Sequence, residues 1–212
     1  MIITSLGNSK DIAKKLAKKL KCKYSETTVS SFPDGDLYLK FNTNLKKKKL
    51  VIVQSFQPHS DMSLFDIIFA ANTAKDLGAK KVILVAPYLG YMRQDKRFNA
   101  GECISSKIMA KLLNESIDKL ITIDPHIHRY KSLKDIFTIP TKMLTANLLI
   151  ADHIQKKFTI ILLFISISVF SQNYTISGYV QEESNGENLI GVSVLTGIHI
   201  FFRVKCLLKF AL

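Results

Sequence analysis

Three short apolar runs, Leu50-Val51-Ile52-Val53-Gln54, Val82-Ile83-Leu84-Val85-Ala86 and Leu120-Ile121-Thr122-Ile123, recur along this chain with helix-like stretches between them. Strands buried on both faces read as continuous hydrophobic runs, and parallel neighbours require a crossover, usually a helix. The pattern predicts an α/β domain built on a parallel sheet covered on both faces. Further strands are expected near Ile2–Ser5 and Leu37–Phe41. Helices are expected near Lys10–Leu20, Met62–Leu77, Ser105–Leu113 and Ala146–Lys156. Ser60 suits the cap of the second helix and Gly78 its stop.

The chain has 212 residues and a net charge of +13. That excess lies wholly in residues 1–157, because residues 158–212 carry three cations and three acids. A charge imbalance of this kind separates parts of different origin or partner, and it places a seam at Lys157. Clustered cations would suit a phosphate backbone. Here, however, 26 of the 30 are Lys, and in Ile12–Leu20 they fill the face opposite the apolar positions of a helix. They read as solvated surface, and no nucleic-acid partner is expected. Cys22, Cys103 and Cys206 are widely scattered, without metal-type spacing. Free thiols in a reducing cytosol are the economical reading, and a cytoplasmic location is expected. No leader is expected at the start, where Met1-Ile2-Ile3-Thr4 runs straight into a strand.

Three motifs carry chemistry. Tyr88-Leu89-Gly90-Tyr91-Met92-Arg93-Gln94-Asp95-Lys96-Arg97 follows the Val82 strand, and such loops are where open α/β sheets bind ligands. Arg93 and Lys96 would offset polyphosphate charge, with Gln94 and Asp95 orienting it or holding a metal. Phe32-Pro33-Asp34-Gly35-Asp36 reads as a turn between strand-like segments. Asp124-Pro125-His126-Ile127-His128 ends the Leu120 strand. If the chain stays extended there, alternate residues share a face, so Asp124, His126 and His128 could converge on one cation. Taken singly, each motif also fits a plainer role: a solvated basic loop, a surface turn, a strand-end Asp with ordinary loop histidines.

In this order and spacing the three motifs resemble ribose-phosphate pyrophosphokinase, also called phosphoribosyl pyrophosphate synthetase. The resemblance extends over Ile2 to Lys157 and takes in Val53-Gln54-Ser55, Ile104-Ser105-Ser106-Lys107 and Asp135-Ile136-Phe137-Thr138-Ile139-Pro140. It implies a phosphoribosyltransferase-like α/β fold. It also implies transfer of a diphosphoryl group from ATP to ribose 5-phosphate, with Mg²⁺ as cofactor and a homo-oligomeric assembly. ATP would meet Phe32, Asp34, Gly35 and Asp36, by analogy across a subunit interface, together with Arg93, Gln94, Asp95 and Lys96. The metal would fall to His126, Asp124 and Asp135. Asp36, Met92, His128 and Arg129 stand where many members carry other residues.

Past Lys157 the family's second α/β domain, with its catalytic lysine segment and acidic Thr-Gly loop for the sugar phosphate, is not recognisable, so no catalytic residue is assigned. Instead, Phe158–Phe170 is a run of thirteen uncharged residues, too short to span a bilayer as a helix and similar to a signal-peptide core. The following Tyr174–Val194 stretch is similar to the opening of a TonB-dependent receptor. A buried strand of a shortened second domain is the other possibility. The expected organisation is therefore a family domain over residues 1–157 and a foreign, apolar and β-rich tail over 158–212. Two functions follow: a pyrophosphokinase truncated and inactive alone, or a non-catalytic nucleotide-binding or subunit-interaction module.

Overall fold

The computed structural model describes the backbone of residues 1–166 and the side chains of residues 1–158. The chain divides into two units, Met1–Ala146 and Asn147–Leu212. The first holds β1 (Ile2–Ser5), α1 (Lys10–Lys19), β2 (Lys23–Tyr24), β3 (Thr27–Ser31), β4 (Leu37–Phe41), β5 (Lys49–Val53), α2 (Ser60–Asp76), β6 (Lys81–Ala86), α3 (Ser105–Ser116), β7 (Lys119–Ile123), a 3-10 turn (Leu133–Asp135) and β8 (Thr141–Leu144).

Six strands form one sheet in the order β2-β1-β5-β6-β7-β8, every pair parallel, and β3 and β4 form a separate antiparallel pair. Successive residues of the central strands serve opposite faces. Leu50 and Ile52 of β5 join Val82 and Leu84 of β6 in a core with Ile67, Ala70, Ala71 and Ala74 of α2 and Met109, Ala110 and Leu113 of α3. Val51 and Val53 point the other way, onto Ala13 and Ala17 of α1. The lysines of α1 lie outside that small-residue stripe, in solvent, as the helical spacing requires. Cover on both faces is complete at β1 and β5. On β6 and β7 one face is buried, and the residues of the other, such as Ile83 and Ile121, are only half-buried.

The expected stop of α2 is present in full. Gly78 adopts φ +79°, its N–H reaches the Lys75 carbonyl at 2.9 Å, and the Ala79 N–H reaches the Ala74 carbonyl at 2.9 Å. This is the Schellman arrangement, in which Gly takes the left-handed position at no steric cost. The expected cap shifts by one residue. His59 occupies the N-cap with no side-chain hydrogen bond, and Ser60 opens the helix.

In the second unit, α4 (Asn147–Ser166) continues well beyond the expected end near Lys156. Phe158–Ser166 contains no Gly or Pro to stop it, so the change in charge at Lys157 is not a change in conformation. Lys156 pairs with Asp152 one turn earlier at 2.8 Å. No helix among the described residues is long and apolar enough to cross a membrane. The end of the signal-like run and the receptor-like stretch lie outside the described residues.

Candidate functional site

Parallel strands send all their carboxyl ends to one edge, and β6 and β7 are neighbours there, with Ala86 opposite Thr122. The loop after β6 therefore meets the segment after β7. Leu89 and Met92 anchor that loop in the core, while Gly90 packs so closely on Phe56 that a Cβ would lie 2.9 Å from its ring. Tyr91 takes φ +61°, turning Arg93 outward to solvent. The start of α3 then holds the loop backbone. Ser105 Oγ donates to the Tyr91 carbonyl at 3.0 Å, and the Ser106 N–H donates to the Gln94 carbonyl at 3.3 Å, with Ser106 Oγ 3.2 Å from the same oxygen. The Gln94 side-chain carbonyl accepts from the Cys103 thiol at 3.0 Å.

Asp95 behaves differently from its neighbours. Its side chain is wholly buried, and Oδ1 accepts from Arg129 Nη1 at 2.8 Å. It was expected to face ATP; instead the carboxylate points inward and ties the two loops together. Lys96 and Arg129 both lie near the Phe98 ring, 4.8 and 5.1 Å from its centroid. Glu102 closes the far end of the loop, accepting from the Phe98 and Asn99 N–H groups and from Asn99 Nδ2, which holds its carboxyl below the usual range.

The expected metal set does not gather. Extended alternation ends at Ile123, because Asp124 takes φ +40° and Pro125 follows. Asp124 Oδ2 accepts from the Ala146 N–H at 2.9 Å. Asp135 is the N3 acid of a capping box on its own 3-10 turn, whose N-cap is Ser132, and it accepts from the Lys131 and Ser132 N–H groups at 2.7 and 3.2 Å. Among the described residues no three His, Cys, Asp or Glu side chains are arranged to hold a metal ion. His126 does lie in the cluster. Desolvation, then His128, depress its pKa below the usual 6.5, Arg93 and Arg129 act in the same sense, and Asp95 opposes them. A neutral imidazole beside one carboxylate suits a hard cation only where phosphate and water oxygens supply most of the ligands, which is how Mg²⁺ is commonly held.

The Phe32–Asp36 turn is the surface turn expected, joining β3 to β4. The Phe32 N–H reaches the Asp36 carbonyl at 2.8 Å, the Asp36 N–H reaches Asp34 Oδ1 at 3.2 Å, and Gly35 takes φ +94°. Phe32 packs edge-on against Tyr38 with centroids 5.6 Å apart, yet remains half exposed. Among the described residues no hydrogen bond, ion pair or ring contact joins this turn to the Arg93 loop. Sequence reasoning assigned no role to Arg129, Tyr130 or Ser106. An Arg-Tyr pair directly after the two histidines was the available signal.

Residues 1–116 match the N-terminal domain of ribose phosphate pyrophosphokinase. The ribose-phosphate pyrophosphokinase of Methanobrevibacter smithii is 38% identical over 150 residues, covering 70% of this chain and 49% of that protein. That of Methanothermobacter thermautotrophicus is 33% identical over 154 residues, covering 72% and 53%. The crystal structure of phosphoribosylpyrophosphate synthetase from Mycobacterium smegmatis superposes with a TM-score of 0.66 at 23% identity, over 74% of this chain and 51% of that one, and shows a shared fold. The chain spans about half the length of the curated relatives it matches. Through that matching domain, the chain belongs to the ribose-phosphate pyrophosphokinase family.

Proposed function

We propose that residues 1–157 supply the ATP side of a ribose-phosphate pyrophosphokinase. In that reaction the 1-hydroxyl oxygen of ribose 5-phosphate attacks the β-phosphorus of ATP, the bond to the α,β-bridging oxygen breaks, AMP departs and the hydroxyl proton is lost. Catalysis of this kind is largely positioning and charge stabilisation. The observation that carries the proposal is the juxtaposition of the Arg93 loop with the Asp124–Tyr130 segment at the carboxyl ends of adjacent parallel strands. Arg93, Gln94 and Lys96 would contact the phosphates. Asp124 and His126 would hold Mg²⁺, whose charge offsets that of the phosphate oxygens. Phe32, Asp34, Gly35 and Asp36, exposed on their hairpin, would meet adenine from a neighbouring copy in a cytoplasmic homo-oligomer.

A second function is favoured by one fact: the chain spans only about half of its relatives' length. On its own it would then be a nucleotide-binding or subunit-interaction module, with ribose 5-phosphate taken only if a second domain is supplied. The two separate on one measurement with purified protein. AMP release from ATP that depends on ribose 5-phosphate supports the enzyme, Mg-ATP binding without it supports the module, and neither overturns both. We also propose that residues 158–212 are foreign to the family, a seam of origin lying within a continuous helix. A second pyrophosphokinase domain recovered in another frame of the downstream DNA would support this.

A further inference from the structure

Two consecutive residues grip one residue of the opposite loop. Arg129 binds the Asp95 carboxylate at 2.8 Å, and the Tyr130 hydroxyl donates to the Asp95 backbone carbonyl at 3.2 Å. Tyr130 in turn accepts from Ser106 Oγ at 2.8 Å, and the Ser106 N–H holds the Gln94 carbonyl at 3.3 Å. The Arg129 guanidinium is steadied on another side by the Phe98 ring. Asp95 Oδ2 is buried without a hydrogen-bond partner, so the carboxylate depends on Arg129 for its counter-charge. A buried charge deprived of its partner is strongly unfavourable, and it is relieved either by swinging Asp95 out to water or by taking up a proton.

We propose that Arg129 and Tyr130 form a clamp on Asp95 that sets the Arg93–Lys96 loop in its nucleotide-ready position. Arg129 acts as a positioning residue, not as a phosphate ligand. The loop's own cations, Arg93 and Lys96, are exposed and stay available. The value of the clamp for nucleotide binding rests on the function proposed above, whereas its hold on the loop does not.

The test uses the full 212-residue chain, reading amide hydrogen exchange without ligand and Mg-ATP affinity by calorimetry. In Arg129→Met, the amides of residues 93–97 should exchange about tenfold faster or more while β5 and β6 keep their protection, because the opening is local. Mg-ATP affinity should fall by about tenfold, the loop's binding-competent population having dropped. The double variant Asp95→Asn/Arg129→Met, which removes the orphaned charge but not the need for the clamp, should recover part of both losses, and Arg129→Lys should lie between the parent and Arg129→Met. Unchanged loop exchange in Arg129→Met overturns the clamp, as does an equal rise throughout the sheet. A double variant no better than Arg129→Met also overturns it, since a direct phosphate contact would not be restored. Absence of Mg-ATP binding by the unaltered chain overturns the nucleotide function and leaves the clamp to be decided by exchange.

Discussion

The imidazoles of His126 and His128 stand edge to face, with ring centroids 4.3 Å apart and planes at 85°. Charging both rings at that separation is unfavourable, so His128 reinforces the desolvation that already keeps His126 neutral.

His126 should accordingly titrate below the usual imidazole value of 6.5 in the metal-free protein. Replacing His128 by Asn removes one depressing influence and should raise the His126 midpoint. Replacing Asp95 by Asn removes the one acid that favours the charged form and should lower it. The linkage sign follows, because the unfolded chain takes up the proton first. This stabilising contribution is therefore present above the unfolded value and lost as pH falls through the depressed folded one. An NMR titration that moves the opposite way in either variant would contradict this electrostatic account.

Much of the sheet was legible because its central strands are continuous apolar runs, which few other environments explain. β2 and β8 were not, and β3 was legible only as a strand-like segment before the Phe32 turn. Lys23-Tyr24 is two residues long, and Thr141–Leu144 is a mixed edge segment with no apolar run. The motif loops could be placed on the correct edge of the sheet, but the direction of each side chain could not. Asp95 sits between Gln94 and Lys96, which keep exposed surface, and only the fold turns it inward onto an Arg thirty-four residues away. Side-chain alternation breaks at Asp124, where φ is +40° and the backbone is no longer extended.

Asp135 offers a direct test of that correction. As the N3 acid of that capping box, its loss in Asp135→Ala should lower stability by about 0.3–1.5 kcal/mol. Mg-ATP affinity should stay unchanged, since both carboxylate contacts are to N–H groups of its own turn. A selective loss of Mg²⁺-dependent binding, with stability intact, would restore it to the metal site.

Gly90 lies where the loop passes over α2, and an added methyl would approach both Phe56 Cδ1 and Ser60 Oγ at 2.9 Å. Phe56 is fully buried and cannot yield freely. Gly90→Ala should therefore cost about 1–3 kcal/mol by overpacking, and the displaced loop should weaken nucleotide binding as well. Denaturant unfolding with an unchanged midpoint would show that the contact relaxes at no cost.

Arg93 is exposed and takes no part in the ion pair between Arg129 and the buried Asp95, so its removal should leave the fold intact. If it meets a nucleotide phosphate, Arg93→Ala loses a charge-assisted contact worth about 1.5–3 kcal/mol, or roughly one to two orders of magnitude in Mg-ATP affinity. Calorimetry giving equal affinities for both proteins would remove Arg93 from the site.

Synthesis of phosphoribosyl pyrophosphate makes a heavier demand than binding ATP, because the sugar hydroxyl must be held in line with the β-phosphorus. Orientation of this kind can contribute about 7–11 kcal/mol, and it vanishes when one reactant has no seat. About half of each relative's length has no counterpart in this chain. Beyond Lys157 the sole adjacent acidic pair is Glu182-Glu183, and Ser184-Asn185-Gly186 follows it where a sugar-phosphate cradle would call for Thr-Gly. A purified polypeptide of these 212 residues, free of host enzyme, should therefore bind Mg-ATP yet give no detectable phosphoribosyl pyrophosphate or ribose-dependent AMP. Adding a separately made C-terminal half of a relative should restore turnover only if the two halves assemble. Robust product from the 212-residue chain alone would mean that the sugar phosphate is seated by residues assigned here to the nucleotide, or by the segment past Lys157.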